Sequence, residues 1–178
     1  MNAKPYVISI AAVSGGGKTA VTNELGSKLK GSKKLFFDDY EFENSPKDLI
    51  EWVKEEPDYD QWDLEPLISD FRSLLETKET PSYIILDYPF AYKNRSMKSY
   101  INLSVYIDTP LDVAMARRFL RDHKNSSSSE IHNDLKFYLD NGRDAYLEME
   151  TIKSNSDLII DGTLPIDKIV NIILQILP

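Results

Sequence analysis

The sequence predicts an α/β three-layer sandwich built around a five-stranded parallel sheet. Three observations predict it. Five short runs rich in Val, Ile, Leu, Phe or Tyr recur along the 178 residues, and helical patterns of apolar residues fill the gaps between them. The runs are almost continuously apolar rather than alternating, as a parallel sheet covered on both faces requires. Four of the five end on aspartate, and the first leads into a glycine-rich turn closed by Lys18-Thr19. Such an alternation implies right-handed crossovers, with ligands held beyond the carboxyl ends of the strands.

The elements follow in order. Residues 6–13, Tyr6-Val7-Ile8-Ser9-Ile10-Ala11-Ala12-Val13, form the first run. Residues 19–29 carry Ala20, Val21, Leu25 and Leu29 at helical spacing. The second run is 34–38, followed by helical patterns at 46–54 and 64–75. The third run is 83–87 and the fourth is 103–108, which leads into a helix over 111–122. A long pattern over 131–152 precedes the fifth run at 158–161, and a helix over 166–177 closes the chain. No internal repeat or second domain is visible, so residues 1–178 read as one domain. The stretch Lys124-Asn125-Ser126-Ser127-Ser128-Ser129 reads as a mobile loop, part of a lid around 117–132.

Composition narrows the function classes. Acidic residues outnumber basic ones by 29 to 21, giving a net charge of −8, which disfavours a general nucleic-acid binder. Without cysteine the chain has no disulfide, thiol nucleophile or Cys-based zinc site. Run 6–13 is too short to span a membrane and is not followed by a cleavage-site pattern, so no membrane partner and a cytoplasmic location are expected. The oligomeric state is left open. Residues 38–65 carry twelve acids against Lys47 and Lys54, so that segment is −10. A solvated helical face explains such a run most simply, and an acidic acceptor side that disfavours anions is the sharper reading.

The turn Ser14-Gly15-Gly16-Gly17-Lys18-Thr19 has the chemistry of a phosphate-binding loop. Glycines let several backbone N–H groups point at one anion, and the helix starting there adds its positive end. Lys18 is placed to reach the β- and γ-phosphates, Thr19 to ligate Mg²⁺, and Ala20 to continue the cradle. Ala12 stands where the strict pattern has glycine, which is tolerable if its φ is negative.

Phosphoryl transfer also needs charge neutralisation and a group that orients or deprotonates the nucleophile. Asp38, at the end of the second run, suits the latter role and could also hold Mg²⁺ through water. Its neighbour Asp39 is equally read as a turn or cap residue. Asp87 closes the apolar run Tyr83-Ile84-Ile85-Leu86, a carboxylate in the position of a metal-associated acid. Three of the six arginines, Arg117, Arg118 and Arg121, lie on one predicted helix. They are candidates to close over the transferring group. Twelve of nineteen aromatic residues fall between 36 and 92. Tyr40, Tyr59, Trp62 and Tyr88 are candidates to grip a planar substrate, although most of the cluster must be core. His123 and His132 receive no role.

These motifs together resemble the uridine kinase and phosphoribulokinase-like group of P-loop kinases, which includes the nicotinamide riboside kinases. The loop at 10–19 is similar to the family loop, and Phe37-Asp38-Asp39-Tyr40 to the segment with its catalytic aspartate. Tyr59-Asp60-Gln61-Trp62-Asp63 resembles its acceptor segment, and Ala116-Arg117-Arg118-Phe119-Leu120-Arg121-Asp122 its lid helix. Tyr146-Leu147-Glu148, Lys153 and Ser156-Asp157-Leu158-Ile159-Ile160-Asp161-Gly162 fit the family tail. Three departures stand out: Ala12, Asp87-Tyr88 in place of Glu-Gly, and a lid loop without Gly-Arg-Asp. The resemblance implies the P-loop nucleoside triphosphate hydrolase fold of the nucleoside monophosphate kinase type. It implies ATP and Mg²⁺ as cofactors, and transfer of the γ-phosphoryl group to a hydroxyl of a small molecule, first of all a nucleoside. Lys18, Asp38, Arg117, Arg118 and Arg121 are then the expected catalytic groups, and Thr19, Asp38 and Asp87 the metal-associated ones. A nucleoside monophosphate kinase and a catalytically degenerate ATP-binding regulator are the alternatives. The first would need basic residues for an acceptor phosphate, and residues 38–65 are acidic. The second draws on the three departures.

Overall fold

A computed structural model describes residues 4–178 of the chain. Five strands form one parallel sheet: β1 (Tyr6–Ala11), β2 (Ser32–Phe36), β3 (Tyr83–Asp87), β4 (Leu103–Asp108) and β5 (Leu158–Asp161). Their order across the sheet is β2-β3-β1-β4-β5. The strand carrying the glycine-rich turn is therefore central, flanked by β3 in the register Ile10↔Asp87 and by β4 in the register Ala11↔Tyr106. The predicted fold class is borne out.

Alternation along β1 separates two cores. Val7 and Ala11 face a cluster with Leu67, Ile68 and Phe71 of α3 (Glu65–Leu75). Ile8 and Ile10 face Val21 and Leu25 of α1 (Lys18–Lys28), and Ile169, Val170 and Ile173 of α8 (Ile166–Ile176). Both sets are buried, so helices cover each face and the three layers follow. The remaining helices are α2 (Leu49–Lys54), α4 (Arg95–Lys98), α5 (Leu111–Asp122), α6 (Ser128–Phe137) and α7 (Arg143–Glu150).

Several boundaries differ from expectation, each for a local reason. β1 ends at Ala11, because residues 12–13 already lead into the turn. β2 begins earlier and ends earlier than 34–38. It is an edge strand whose first residues, Ser32-Lys33-Lys34, are polar, and its chain turns into a 3₁₀ turn at Phe37–Asp39. The helix expected from 46 starts at Leu49, where the Asp48 carboxylate accepts from Ile50 N at 2.9 Å and Glu51 N at 3.1 Å. The long pattern over 131–152 is two helices separated by a π turn at Tyr138–Gly142, which contains the poor helix formers Asn141 and Gly142.

Residues 124–127 of the Ser-rich stretch are turn and loop, and helix begins only at Ser128. Ser127 caps α6 by accepting from Glu130 N, while Glu130 reaches back to Ser127 N at 2.7 Å. This reciprocal box puts Ser128 and Ser129 in the first turn. The short helix α4 has no apolar periodicity long enough to announce it.

Candidate active site

The turn between β1 and α1 is shaped by backbone rather than side chains. Gly15 has φ +78°, and a Cβ there would lie 2.1 Å from the carbonyl oxygen of Ala114 in α5. Only glycine permits both the angle and that approach. At Gly16 a Cβ would meet the methyl of Ala12 at 2.8 Å. Ala12 is therefore accommodated because residue 16 has no side chain, and its own φ is not positive. Gly17 begins α1 without a side-chain cap, which leaves the N–H groups of the first turn facing the cavity end. Thr109, just beyond β4, donates its hydroxyl to the Gly16 carbonyl at 2.8 Å and pins the loop from the far side.

Asp87 ends β3 in register with Ile10 and lies against the loop. Its carboxylate pairs with the Lys18 ammonium and accepts from the Thr19 hydroxyl at 2.6 Å. The Asp87 side chain is 3% exposed, so this buried charge has both a counter-ion and a hydrogen bond. Asp38 sits in the turn after β2 instead of inside the strand. It lines the same cavity, is exposed, and has no hydrogen-bond partner among the described residues. Asp39, next to it, does not line the cavity.

That cavity has a volume of about 580 Å³ and runs from the loop residues Ser14 to Ala20 across the carboxyl ends of β1, β3 and β2. Its far end is walled by Phe37, Trp52, Trp62 and Phe90, with Leu49, Val53 and Met149. The rings pack on one another: Phe37 and Trp62 at 5.5 Å, Trp62 and Phe90 at 5.2 Å, Phe37 and Phe90 at 5.1 Å between centroids.

Three of the four candidate substrate-gripping residues lie elsewhere. Tyr88 is fully buried among Phe37 and Phe90, because a side chain directly after an interior strand has the core as its surroundings. Burial first, and then the charge of Asp60, push its hydroxyl pKa well above 10. Tyr59 is also buried, with its hydroxyl bonded to Glu148 at 2.7 Å, and its pKa is likewise raised, mainly by burial. Tyr40 donates to Asp70 at 3.0 Å and does not reach the cavity. Trp62 alone does.

The arginines divide by helix geometry. Arg117 and Arg121 are four residues apart on α5 and both line the cavity. Arg117 donates to the Gly162 carbonyl at 3.0 Å, and Arg121 pairs with Asp122 at 2.6 Å. Arg118 departs from expectation. It faces a separate groove between α2 and α6–α7, where it pairs with Asp134 and sits 3.4 Å from Asp122. His123 Nε2 also lies 2.8 Å from Asp134. Partial burial works against the Arg118 charge, but the bonds to Asp134 and Tyr146 outweigh it and raise its pKa. Asp134 is correspondingly held below the ordinary carboxylate range, chiefly by the Arg118 hydrogen bond.

Asn94 carried no sequence signal, yet it is central to the far wall. It is 1% exposed. Its amide donates to the Tyr59 carbonyl at 2.9 Å and the Trp62 carbonyl at 3.1 Å, while its oxygen caps α4. Arg95 N adds a bond to Asp60 at 2.7 Å, and the Arg95 side chain pairs with the same carboxylate. The segment 59–62 is thereby stapled to the chain that follows β3.

A parallel sheet with a glycine turn at its central strand, a buried aspartate on the adjacent strand and arginines on a following helix defines a P-loop kinase fold. The solved structures agree. A Thermus thermophilus protein superposes with a TM-score of 0.59 at 17% identity, covering 99% of this chain and 100% of that one. A possible uridine kinase from Bacillus stearothermophilus gives 0.53 at 19% identity, covering 90% and 91%. No family model matches the chain. The uridine kinase of Staphylococcus aureus (strain JH9) is 30% identical over an alignment of 180 positions that covers 86% of each chain. The chain belongs to the uridine kinase family and is a kinase. No helix among the described residues is long and apolar enough to cross a membrane.

Proposed function

We propose that the protein transfers the γ-phosphoryl group of ATP to a hydroxyl of a nucleoside, with Asp38 orienting or deprotonating that hydroxyl. The observation that carries the reading is Asp38 itself. It is an exposed, unpartnered carboxylate on the cavity wall, between the glycine loop and the aromatic end. A general base must lie within reach of the proton it takes, and a hydroxyl held by the rings would lie beside it.

The residues fit ATP and Mg²⁺. The uncapped start of α1 and the glycine cradle suit a polyphosphate. Thr19 and Asp87, 2.6 Å apart, are the hard oxygen donors such a cation takes alongside phosphate oxygens and water. Mg²⁺ there would supply charge neutralisation for the phosphate oxygens. Lys18 would bind the phosphates, and Arg117 and Arg121 would stabilise the transferring group. Residues 117–132 form the proposed lid, tied together through Arg118, His123 and Asp134. Among the described residues the basic side chains lining the cavity are Lys18, Arg117 and Arg121, which this reading assigns to the ATP phosphates, leaving none for an acceptor that already carries phosphate. A screen of ADP release with Mg²⁺-ATP across nucleosides and nucleoside monophosphates tests the proposal. Turnover on nucleosides alone is expected. Preference for monophosphates, or ATP binding with no turnover on any acceptor, would overturn it.

A further inference from the structure

The helix that carries the arginines, α5, is joined to β4 by Thr109-Pro110 alone. Thr109 is 2% exposed, and its hydroxyl is directed at the Gly16 carbonyl of the phosphate loop. The same side chain lies against Gly162, in the turn after β5. A Cβ on Gly162 would sit 1.8 Å from the Thr109 hydroxyl oxygen and 2.9 Å from the Thr109 Cβ, so any side chain there would displace Thr109. Gly162 is itself anchored. Its N–H donates to the Asp108 carbonyl at 2.9 Å, and its carbonyl accepts from Arg117 at 3.0 Å. Phosphate loop, strand ends and arginine helix thus meet at one junction, Gly16–Thr109–Gly162–Arg117. Arg121, one turn further along α5, pairs with Asp122 instead.

The loop also meets α5 where Gly15 lies against the Ala114 carbonyl. That contact is steric and limits how closely the helix approaches. The Thr109 junction adds direction, because a hydrogen bond weakens steeply off its axis. An arginine stabilises a transferring phosphoryl group only when its donors stand where the charge develops. A displacement of about 1 Å can cost about 10²-fold in rate. We propose that Thr109 is a positioning residue for phosphoryl transfer, which sets Arg117 against the phosphate loop through Gly162. The inference rests on the reading that Arg117 stabilises the transferring group. Thr109 acts through other residues, since it does not itself line the cavity.

The test is a double-mutant cycle on kcat at saturating Mg²⁺-ATP and acceptor, which keeps weakened binding out of the comparison. Thr109→Val removes the hydroxyl and keeps the shape. It should lower kcat by about tenfold, the scale of leaving one buried carbonyl unpaired. Thr109→Ser, which keeps the hydroxyl, should restore most of the loss. In an Arg117→Ala background, Thr109→Val should change kcat by less than about twofold, because the group it positions is gone. Gly162→Ala presses on Thr109 from the other side and should repeat the pattern, so the result does not hang on one variant folding. Equal kcat losses with and without Arg117, or a Thr109→Ser variant as slow as Thr109→Val, would overturn the inference while leaving the kinase reading intact. Full kcat in Arg117→Ala alone would remove the role given to Arg117, and the inference with it. If no acceptor is turned over, the transfer reading falls and takes the inference with it.

Discussion

At the phosphate end of the cavity the functional groups come from consecutive residues, Ser14–Ala20, backed by Asp87 and Thr109 from the neighbouring strands. At the aromatic end, the proposed acceptor side, they come from five separated stretches: Phe37-Asp38, Leu49–Val53, Trp62, Pro89-Phe90 and Met149. The first region is fixed by backbone angles and charge pairs. The second is fixed by ring packing and by Asn94, which joins two of those stretches. On the proposed reading, the donor would be held by main-chain geometry and the acceptor by side-chain packing. Damage to one end should therefore leave the other legible in a binding assay.

The largest effect is expected at Gly15. Gly15→Ala forces a methyl into the Ala114 carbonyl at a backbone angle that costs a side chain about 1–3 kcal/mol before any clash. ATP affinity should fall by at least two orders of magnitude, read by titration, with chemical denaturation reporting the lost stability. Next comes Arg121→Ala, which should lower kcat by about 10²–10³ with little change in acceptor KM. An equal effect from Arg118→Ala would erase the division between the two faces of α5.

Asn94→Ala should raise acceptor KM by about tenfold, the loss of roughly 1.4 kcal/mol in holding the far wall, while ATP affinity stays unchanged. A change in ATP affinity instead would show that the two ends are not independent. The smallest effect is Arg118→Ala, about 1 kcal/mol of stability with kcat nearly intact. Asp134 has a lowered pKa, so its contribution is complete above the unfolded carboxylate value of about 3.9 and is lost as pH falls through the depressed one. Removing Arg118 should therefore move acid unfolding to higher pH, which circular dichroism against pH would record.

The same contrast explains what could be read from sequence. The loop was legible because its function is local: glycine, lysine and threonine act at fixed spacing on one ligand. The strands were legible because a doubly covered parallel sheet demands apolar runs; β1 was read too long at its end, and the half-polar edge strand β2 was shifted at both ends. Asp38 and Asp87 followed from where strands end. Arg118 was expected over the transferring group with Arg117 and Arg121, but it lies about 100° round the helix from Arg117 and faces the other groove. Tyr59 and Tyr88 were misassigned because an aromatic cluster does not show which rings face inward. Asn94 and Thr109 left no trace, since each acts on backbone carbonyls brought close only by the fold. The start of α6 at Ser128 was missed because its capping box depends on Glu130, three residues on from Ser127, and not on composition.

The central claim is that Asp38 serves the acceptor hydroxyl and not the donor. Asp38→Asn measured for both ATP affinity and nucleoside turnover tests it directly. ATP should bind as tightly as to the unaltered protein while kcat falls by about 10²–10⁴. Full turnover in the variant, or a loss of ATP affinity that accounts for the whole defect, would contradict the account.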